Sequence, residues 1–539
     1  MTVAALVLGS EIFKTVRFRK YCESTRGMKT RIDTVRTFSS WARRGDILDC
    51  KGNVLATIDT VYGVHLDAMA AKDSLWAEAL PVLSKGLAEI LQDMTPSEYY
   101  SYLKKGRAAQ RRYLKICEDV GQSTLDSLKT LPLFNLSMYS GGVIIETKLK
   151  RVYPYGPLAR RTIGFVRNNN EFYNNHIGIE GYFNKVLSGV DGYEVIKNKH
   201  VRLPFGKVRH IRKTIKKVEP QKGKDVTVTL DIELQATADS LLRAGIEGNE
   251  NIKGACLVLV STNNGAVRTM VNLTRNERGE FGEYYNVSIG YGYEPGRILA
   301  PAAALAAAKC NNTVSLDSID FTRKDALRDI AEKCDPAAYC DSLKTMLQGE
   351  YAFSHLELEG LASLLMVAPD DGYWHANTLE SIANGYSIMA SAFRWLSIYT
   401  ALARGGEGIA QRLVGPIMGS DGKTLYRLCT KEQADVLTYS LKAASAKLLP
   451  ETAYEMAGLL GSSFITHPHG GYIDADGRRA VQSSYAGFFP AEKPAFSIIC
   501  MAYTDFAADS RSAVEVTKKV VREFVGSDII AARIKETFE

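Results

Sequence analysis

The order of segments after residue 225 is the feature that most constrains the fold of this chain. Residues 226–248, "VTVTLDIELQATADSLLRAGIEG", indicate a strand followed by a helix. Residues 255–273, "ACLVLVSTNNGAVRTMVNL", are two apolar runs on either side of Asn264-Gly265, which predicts a β-hairpin with these two residues at its tip. A strand, a helix and a hairpin in this order favour an antiparallel sheet with a helix packed on it.

Later segments extend the same architecture. Residues 380–405 have a helical pattern that closes on Gly405-Gly406, and residues 485–506 predict two strands around a proline turn. A final helix is predicted at about 511–525. Together these segments predict an α+β fold in which helices pack on an antiparallel sheet.

The first part of the chain is punctuated more heavily by glycine and proline. Residues 44–56 predict a strand, a turn and a strand, and helical patterns follow in 72–92 and in 96–120, which opens on a Pro-Ser start signal. The stretches 151–164 and 177–192 predict ordered loops and short helices with aromatic anchors.

Composition excludes several classes of protein. The 539 residues are 46% hydrophobic and 24% charged with a net charge of +7, which does not argue for nucleic-acid binding, so no nucleic-acid partner is expected. The basic run 207–217 is interpreted as a solvated strand or linker. Nine cysteines without a CxxC pair indicate buried thiols. His467 and His469 are interpreted as part of a surface loop rather than as metal ligands, so neither a metal nor a cofactor is expected.

The N-terminal segment allows two interpretations. Residues 1–21, "MTVAALVLGSEIFKTVRFRKY", start apolar, but Glu11 and Lys14 interrupt the run. The run is too short to span a bilayer, and no cleavage site of a signal peptide is evident. The segment is interpreted either as the end of a membrane helix whose start is missing or as a short interfacial helix.

The segment most informative for function is 293–308, "YEPGRILAPAAALAAA". Its Glu-Pro-Gly predicts a rigid turn, and the alanine-rich run after the turn predicts a buried helix. A turn that leads into a helix is a common place for a catalytic nucleophile. The residue in that place is Arg297, and Ala300 follows three positions later.

These segments together resemble the class B penicillin-binding proteins, the monofunctional peptidoglycan transpeptidases of cell division and elongation. The resemblance is closest to the division-type transpeptidase of Bacteroidales-like bacteria, and it covers nearly the whole chain. Its strength lies in several widely spaced motifs in the right order. The matching segments are 44–56, 153–164, 178–192, 226–235, Asn286, 293–296 and 487–494.

The resemblance implies a fold and a domain organisation. It implies an elongated N-terminal pedestal, or dimerisation domain, followed by a transpeptidase-like domain of the serine β-lactamase type, with an antiparallel sheet flanked by helices. The cluster Pro-Gln-Lys-Gly at 220–223 is the predicted boundary. The expected parts are a remnant of a membrane-anchor helix at 1–25, the pedestal at 26–219 and the transpeptidase-like domain at 220–539.

The resemblance also implies where catalytic residues would stand. The family's acyl transfer needs a serine with a lysine one helical turn later (S-x-x-K), a middle S-x-N motif, and K-[ST]-G on the edge strand to hold the substrate carboxylate. The first motif here holds Arg297 and Ala300, and Leu459, Leu460 and Gly461 stand in place of Lys-Thr-Gly. Arginine stays protonated, alanine cannot be a base and leucine cannot bind a carboxylate, so no catalytic residue is predicted.

Two further expectations concern the middle motif and the start of the helix, and the second has an independent physical basis. Lys333, Cys334 and Asp335 are interpreted as the middle motif. Pro301 lacks an N–H and is favoured at the first helical position. The helix is therefore predicted to begin at Pro301 and to leave 297–300 in a loop.

The register of the family predicts the side-chain directions around the groove. Because strand side chains alternate, Leu459 and not Leu460 should face it. A groove narrowed by apolar side chains is expected. Arg297 should either pair with a nearby acid such as Glu294 or point to solvent.

A relocated active site is the alternative interpretation. The other candidate motifs are S-x-x-K at Ser420–Lys423 and at Ser101–Lys104, and S-T-N at 261–263, which are interpreted as chance matches. Ser462 and Ser463 follow the edge motif but have no visible base.

The expected function is that of a catalytically inactive homologue in the inner membrane, held by an N-terminal helix, with the bulk of the chain facing the periplasm. It would bind cell-division or elongation envelope proteins through its pedestal and would bind peptidoglycan stems weakly. The alternative is a divergent D,D-transpeptidase or peptidase with a relocated nucleophile. A third interpretation is a decaying paralogue without a role, and the intact pedestal motifs argue against it.

Overall fold

The structure is a computed structural model that describes residues 33–166, 177–202, 208–323, 327, 332–347, 356–415, 424–465, 472–474, 476–506 and 511–539. The N-terminal segment 1–32, the string Ser420–Lys423 and the pair His467 and His469 lie outside the described residues. Among the described residues, no helix is both long and apolar enough to cross a membrane.

The described strands are, in chain order, β1 (Asp33–Ser40), β2 (Ile47–Leu48), β3 (Val54–Leu66), β4 (Leu114–Val120), β5 (Val143–Val152), β6 (Gly192–Arg202), β7 (Val208–Val218), β8 (Val226–Thr227), β9 (Ile252–Ser261), β10 (Val267–Arg275), β11 (Phe281–Gly282), β12 (Gly292–Tyr293), β13 (Leu365–Met366), β14 (Ile388–Ser391), β15 (Glu407–Ile409), β16 (Thr424–Arg427), β17 (Ala457–Phe464), β18 (Val481–Phe489) and β19 (Phe496–Thr504).

The described α-helices are α1 (Asp73–Leu91), α2 (Pro96–Ala108), α3 (Gln122–Leu128), α4 (Arg160–Ile163), α5 (Gly178–Tyr182), α6 (Asn184–Leu187), α7 (Ile232–Ile246), α8 (Val287–Gly290), α9 (Ala300–Cys310), α10 (Pro336–Leu347), α11 (Thr378–Ala383), α12 (Ala392–Ala403), α13 (Lys431–Leu448), α14 (Arg511–Val525) and α15 (Asp528–Phe538). Short 3₁₀ helices lie at Gly296–Leu299 and Leu316–Ser318.

The chain forms two compact units. One contains Met1–Gly45 and Lys185–Lys224, and the other contains Asp46–Asn184 and Asp225–Glu539. This division by compactness differs from the linear boundary predicted at residue 219, which stays a prediction.

The smaller unit is built around a three-stranded antiparallel sheet in the order β1-β6-β7. Thr37 pairs with Val195, which in turn pairs with Lys216 across the central strand. The basic run 207–217 therefore lies almost wholly in strand β7, in agreement with one of the two structures predicted for it.

In the larger unit, one sheet has the strand order β4-β3-β2-β8, and β5 also pairs with β3. Helices α1, α2 and α3 pack on this sheet because their apolar faces meet those of β3 and β4. The shared core includes Val64, Leu66, Leu83, Leu87, Tyr99, Leu103, Leu114, Ile116, Leu125 and Leu128.

The second sheet of the larger unit has six strands in the order β11-β10-β9-β19-β18-β17, and every neighbouring pair is antiparallel. Helices α7, α14 and α15 cover one face, with a core that includes Leu234, Leu242, Leu257, Tyr485, Cys500, Val520, Phe524, Ile530 and Ile534. The α+β prediction, with helices on an antiparallel sheet, is therefore confirmed.

Several element predictions need correction. The helical pattern 96–120 ends at Ala108, and residues 114–120 form strand β4, because Leu114 and Ile116 alternate into the core as a strand requires. The predicted helix 380–405 is interrupted by β14, next to Ser387, whose φ of 57° is incompatible with a continuous right-handed helix. The last predicted helix ends at Val525 as expected, but α15 follows it.

Candidate functional site

The Glu-Pro-Gly turn is held by close backbone contacts on two sides. Gly296 has a φ of +56°, and a Cβ on it would lie 2.9 Å from the carbonyl oxygen of Ser462. A Cβ on Gly461 would overlap the carbonyl of Pro295, and a Cβ on Gly385 would overlap the carbonyl of Gly296. Glycine is required at these three positions because main chain packs directly on main chain.

Glu294 stabilises the same turn through hydrogen bonds to its carboxylate and to its main-chain oxygen. It is buried, and its carboxylate accepts hydrogen bonds from the Ser387 N–H at 2.8 Å and from the Tyr472 hydroxyl at 3.1 and 3.2 Å. Burial raises the pKa of Glu294, while these donors act in the opposite direction. Its main-chain oxygen accepts from Ser463 Oγ at 2.6 Å and from Gln482 Nε2 at 2.8 Å.

Arg297 binds backbone carbonyls. Its Nη2 donates to the carbonyl oxygens of Phe321 and Arg323, the latter at 3.0 Å. Burial lowers the pKa of Arg297, opposed by the nearby Tyr399 and Asp320. Both predicted arrangements, an ion pair with Glu294 and a side chain in solvent, are therefore wrong. The segment that follows the 3₁₀ helix Leu316–Ser318 supplies acceptors that the sequence could not reveal, because every residue has a carbonyl.

The start of the helix differs slightly from its prediction. Helix α9 begins at Ala300, with Pro301 in its first turn, and the preceding residues form the 3₁₀ helix Gly296–Leu299 rather than a loop. The Ala300 N–H donates to the Arg297 carbonyl, and Tyr399 Oη donates to the Ile298 carbonyl at 2.8 Å. The proline is tolerated because the first N–H groups of a helix have no intrahelical acceptor.

The edge motif lies on β17, which forms one edge of the six-stranded sheet. Leu459 pairs with Ala486 and is 1% exposed, on the same face as Gly461, whose added Cβ would lie 3.0 Å from the Arg297 nitrogen. Leu460 points to the opposite face, where it packs against the core beneath α7 and α14. The structure thus places the apolar Leu459 side chain on the face that carries the turn.

The residues interpreted as the middle motif lie at the other end of α9. Asn311 Nδ2 donates to the Lys333 carbonyl at 3.0 Å, and Cys334 Sγ lies 3.8 Å from the Ala307 carbonyl oxygen. Asp335 accepts from the Ala338 N–H in the first turn of α10. Ala307 is ten residues beyond Arg297, which is roughly 15 Å along a helix, so the structure does not bring this motif to the nucleophile position.

The other serine motifs that the structure describes show no activated hydroxyl. Ser101 and Lys104 lie exposed on α2, and residues 261–263 end strand β9 and begin its turn. The hydroxyl of Ser463 donates to a carbonyl, and Ser462 Oγ lies 3.4 Å from Ser483 Oγ. A nucleophile needs a base in hydrogen-bond reach, and within the described part of the chain neither of these two serines has one.

Known proteins match both parts of this architecture. The penicillin-binding-protein dimerisation domain matches residues 39–228. The peptidoglycan D,D-transpeptidase MrdA of Escherichia coli K12 is 30% identical over 269 residues, which are 46% of this chain and 39% of that protein. The peptidoglycan D,D-transpeptidase FtsI of Buchnera aphidicola is 22% identical over 419 residues, or 70% of this chain and 67% of that protein. The chain thus spans well under half the length of the first curated relatives it matches.

Solved structures match over most of the chain. A peptidoglycan synthetase from Bifidobacterium adolescentis has a TM-score of 0.61 and 16% identity, covering 93% of this chain and 97% of that one. A complex between the penicillin-binding protein PBP2 and MreC from Helicobacter pylori has a TM-score of 0.60 and 14% identity, covering 90% and 98%. These likenesses show the fold.

The fold is a pedestal dimerisation domain followed by a transpeptidase-like domain, and in this architecture the chain is similar to the penicillin-binding proteins. Over part of its length, the chain is similar to the peptidoglycan D,D-transpeptidases named above.

Proposed function

We propose that this chain is a catalytically inactive homologue of the class B penicillin-binding proteins that serves cell-wall synthesis as a non-enzymatic partner. The observation that carries the proposal is the guanidinium of Arg297, which takes the place of the nucleophile and is bound to the carbonyls of Phe321 and Arg323.

The chemistry around this position supports the proposal. Arginine remains protonated and cannot attack a carbonyl. Ala300 offers no base, and the buried Leu459 offers no donor for a substrate carboxylate. Loss of one member of such a catalytic set costs several orders of magnitude in rate, and two motifs are changed here.

The proposal also includes a role in the cell envelope, with a protein partner and a cellular location. The Helicobacter pylori protein of similar fold was solved in complex with MreC, which supports a protein partner for this chain among the elongation or division proteins. We place the bulk of the chain in the periplasm, anchored through its N-terminus to the inner membrane of a Bacteroidales-like bacterium. Weak binding of peptidoglycan stems remains part of the proposal.

A covalent labelling experiment tests the inactivity. The purified chain is incubated with benzylpenicillin, denatured and weighed by intact-mass spectrometry, with Escherichia coli MrdA as the positive control. We expect the mass of MrdA to increase by one benzylpenicilloyl group and the mass of this chain to stay unchanged, because a stable acyl-enzyme requires a serine nucleophile. A stoichiometric adduct on this chain that survives denaturation would contradict the proposal.

The same experiment decides for or against the second candidate, a divergent transpeptidase or peptidase with a relocated nucleophile. If an adduct forms, peptide mapping locates it, and the variants Ser462→Ala and Ser463→Ala show whether either edge-strand serine carries it. The hydrogen bond from Ser463 to the Glu294 carbonyl argues against that residue as a nucleophile.

A further inference from the structure

A cavity of about 600 Å³ lies outside the site at Arg297 and shares no residue with it. One wall is formed by residues 157–165 around α4 together with Ile177, and the other by Asp239 and Arg243 of α7 and by residues 281–284. Its volume is within the range of small-molecule sites, which run from about 300 to 1,000 Å³. The cavity is much larger than a bare inorganic ion would need.

The apolar part of this cavity comes from both walls. Leu158, Phe165 and Ile177 line one side, and Phe281 and Tyr284 line the other. Aromatic side chains with fixed rings bury large areas at low entropic cost, so such a lining favours a ligand with an aliphatic or aromatic body.

The polar groups of the cavity are mainly cationic. Arg160 lies 5.5 Å from the Phe165 ring centroid in a cation–π contact. Arg161 has a buried Nε without a hydrogen-bond acceptor among the described residues. A buried N–H of this kind costs free energy unless a ligand or water supplies the acceptor. Arg243 is already committed, because it forms two hydrogen bonds with Asp239, at 2.6 and 3.3 Å.

Glu283 adds little negative charge near neutral pH. Burial raises its pKa to about 8, against hydrogen bonds from the Arg161 and Asn272 N–H groups, which lower it, as does Arg243, whereas Asp239 raises it. The Arg243–Asp239 pair is neutral as a pair, so Arg160 and Arg161 leave the cavity with a positive balance. The main-chain N–H of Arg161 is held by Glu283, and its buried side-chain Nε has no acceptor among the described residues.

We propose that this cavity binds an organic monoanion, a carboxylate carried on an apolar body, with the guanidinium of Arg161 as its main contact and the aromatic lining around its body. A planar guanidinium suits a carboxylate because it offers two parallel N–H donors. The proposal does not rest on the loss of transpeptidase activity.

The test compares two probes that differ only in charge. The full chain is titrated by isothermal calorimetry at pH 7 with N-acetyl-phenylalanine and with its neutral amide. We expect saturable one-to-one binding of the acid and at least tenfold weaker binding of the amide, because only the acid can form the charged contact. A tetrapeptide that ends in phenylalanine, N-acetyl-Ala-Ala-Ala-Phe, distinguishes the sources: tighter binding than the single residue indicates a peptide C-terminus, and equal or weaker binding indicates a small organic acid.

Two single-residue variants test whether the acid binds at Arg161. Arg161→Gln retains the main-chain N–H that Glu283 accepts, and it should weaken binding of the acid at least tenfold. Arg427→Gln removes an arginine on strand β16 that pairs with Glu407, and it should leave binding unchanged. The proposal is overturned if the acid shows no saturable binding to the unmodified chain, if acid and amide bind equally, or if Arg161→Gln binds the acid as well as the unmodified protein does.

Discussion

Two buried charge networks of the larger unit are built in opposite ways. At the start of α7, Asp231 is 0% exposed and accepts from Arg533 Nε at 2.7 Å, while Lys51 and Arg268 lie 3.8 and 3.6 Å away. At the Glu-Pro-Gly turn, Glu294 and Arg297 are three positions apart, yet each is bound to groups without a formal charge.

The difference shows that side-chain charges stabilise one region and that main-chain packing stabilises the other. The α7 network depends on side-chain charges, and the pKa of Asp231 records this: burial would raise it, but the hydrogen bond and charge of Arg533 lower it. The turn depends on main chain that packs on main chain at Gly296, Gly385 and Gly461. A turn held by main-chain contacts can keep its shape whatever side chain stands at position 297.

The largest expected effect comes from introducing the side chains of the family's catalytic motifs at the positions that the sequence predicts for them. In the variant Arg297→Ser, Ala300→Lys, Leu459→Lys and Leu460→Thr, lysine enters two sites that are 4% and 1% exposed. Burying unpaired charge is costly, so we expect a loss of ~5 kcal/mol or more in unfolding free energy and no benzylpenicillin adduct. Thermal melting and intact mass measure the two outcomes.

Efficient acylation of that variant would show that the turn alone keeps the site poised for catalysis, and the argument from packing at Leu459 would fall. The single variant Leu459→Met is the matched control for the strand. It conserves volume and should cost less than about 1.5 kcal/mol.

Breaking the α7 network should be the next largest effect. Arg533→Met leaves the buried Asp231 without its closest partner and removes the ion pairs with Glu233 and Glu536. Removing one partner of a buried pair typically costs 3–5 kcal/mol, and we expect about 3 because Lys51 and Arg268 remain nearby. Urea denaturation measures the loss.

Lys535→Met is the control for Arg533→Met, because Lys535 is exposed on the same helix and pairs with Glu539. Its cost should stay below about 0.5 kcal/mol. Equal costs for the two variants would mean that the buried charges of α7 are no more important than a surface pair.

The close main-chain contacts of the Glu-Pro-Gly turn predict a third effect. Gly385→Ala places a methyl group on the Gly296 carbonyl at a φ of +80°, so it should destabilise the chain by about 2 kcal/mol. Gly360→Ala is the matched control, since Gly360 has a φ of +83° and a Cβ there meets nothing within 4 Å. If thermal melting shows the same stability for both variants, the turn is not held by the contact at Gly385.

The sequence predicted those features that have a local signature. Asn264-Gly265 lies in the turn of the predicted hairpin, and Gly265 has a φ of +70° as such turns require. Strand β4 was missed because its short alternation follows a helix without a strong break, and α15 because nothing local separates it from a polar tail. The partners of Arg297 are carbonyls, which have no sequence signature.

Two buried carboxyl groups of the larger unit have pKa values that move in opposite directions. The pKa of Asp231 is lowered, so its stabilising contribution is complete above the unfolded value near 4 and is lost only as the pH falls further. Burial raises the pKa of Glu283 to about 8, so the folded chain keeps a proton that the unfolded chain releases above about pH 4.5. Between pH 5 and 8, Asp231 stays ionised and only Glu283 of this pair changes stability.

Glu283→Gln should therefore change the slope of stability with pH. In the unmodified chain, Glu283 should lower the unfolding free energy by about 1 kcal/mol for each pH unit between 5 and 8, because ionisation of the folded state is opposed by burial. The variant cannot ionise, so its curve should be flatter by that amount, although it also loses one acceptor for the Arg161 or Asn272 N–H at every pH. Urea denaturation at pH 5, 6, 7 and 8 measures both slopes, and Glu280→Gln, an exposed neighbour, should keep the unmodified slope. Parallel curves for Glu283→Gln and the unmodified chain would mean that Glu283 is already ionised in the fold, and that the cavity beside it is less positive than its arginines suggest.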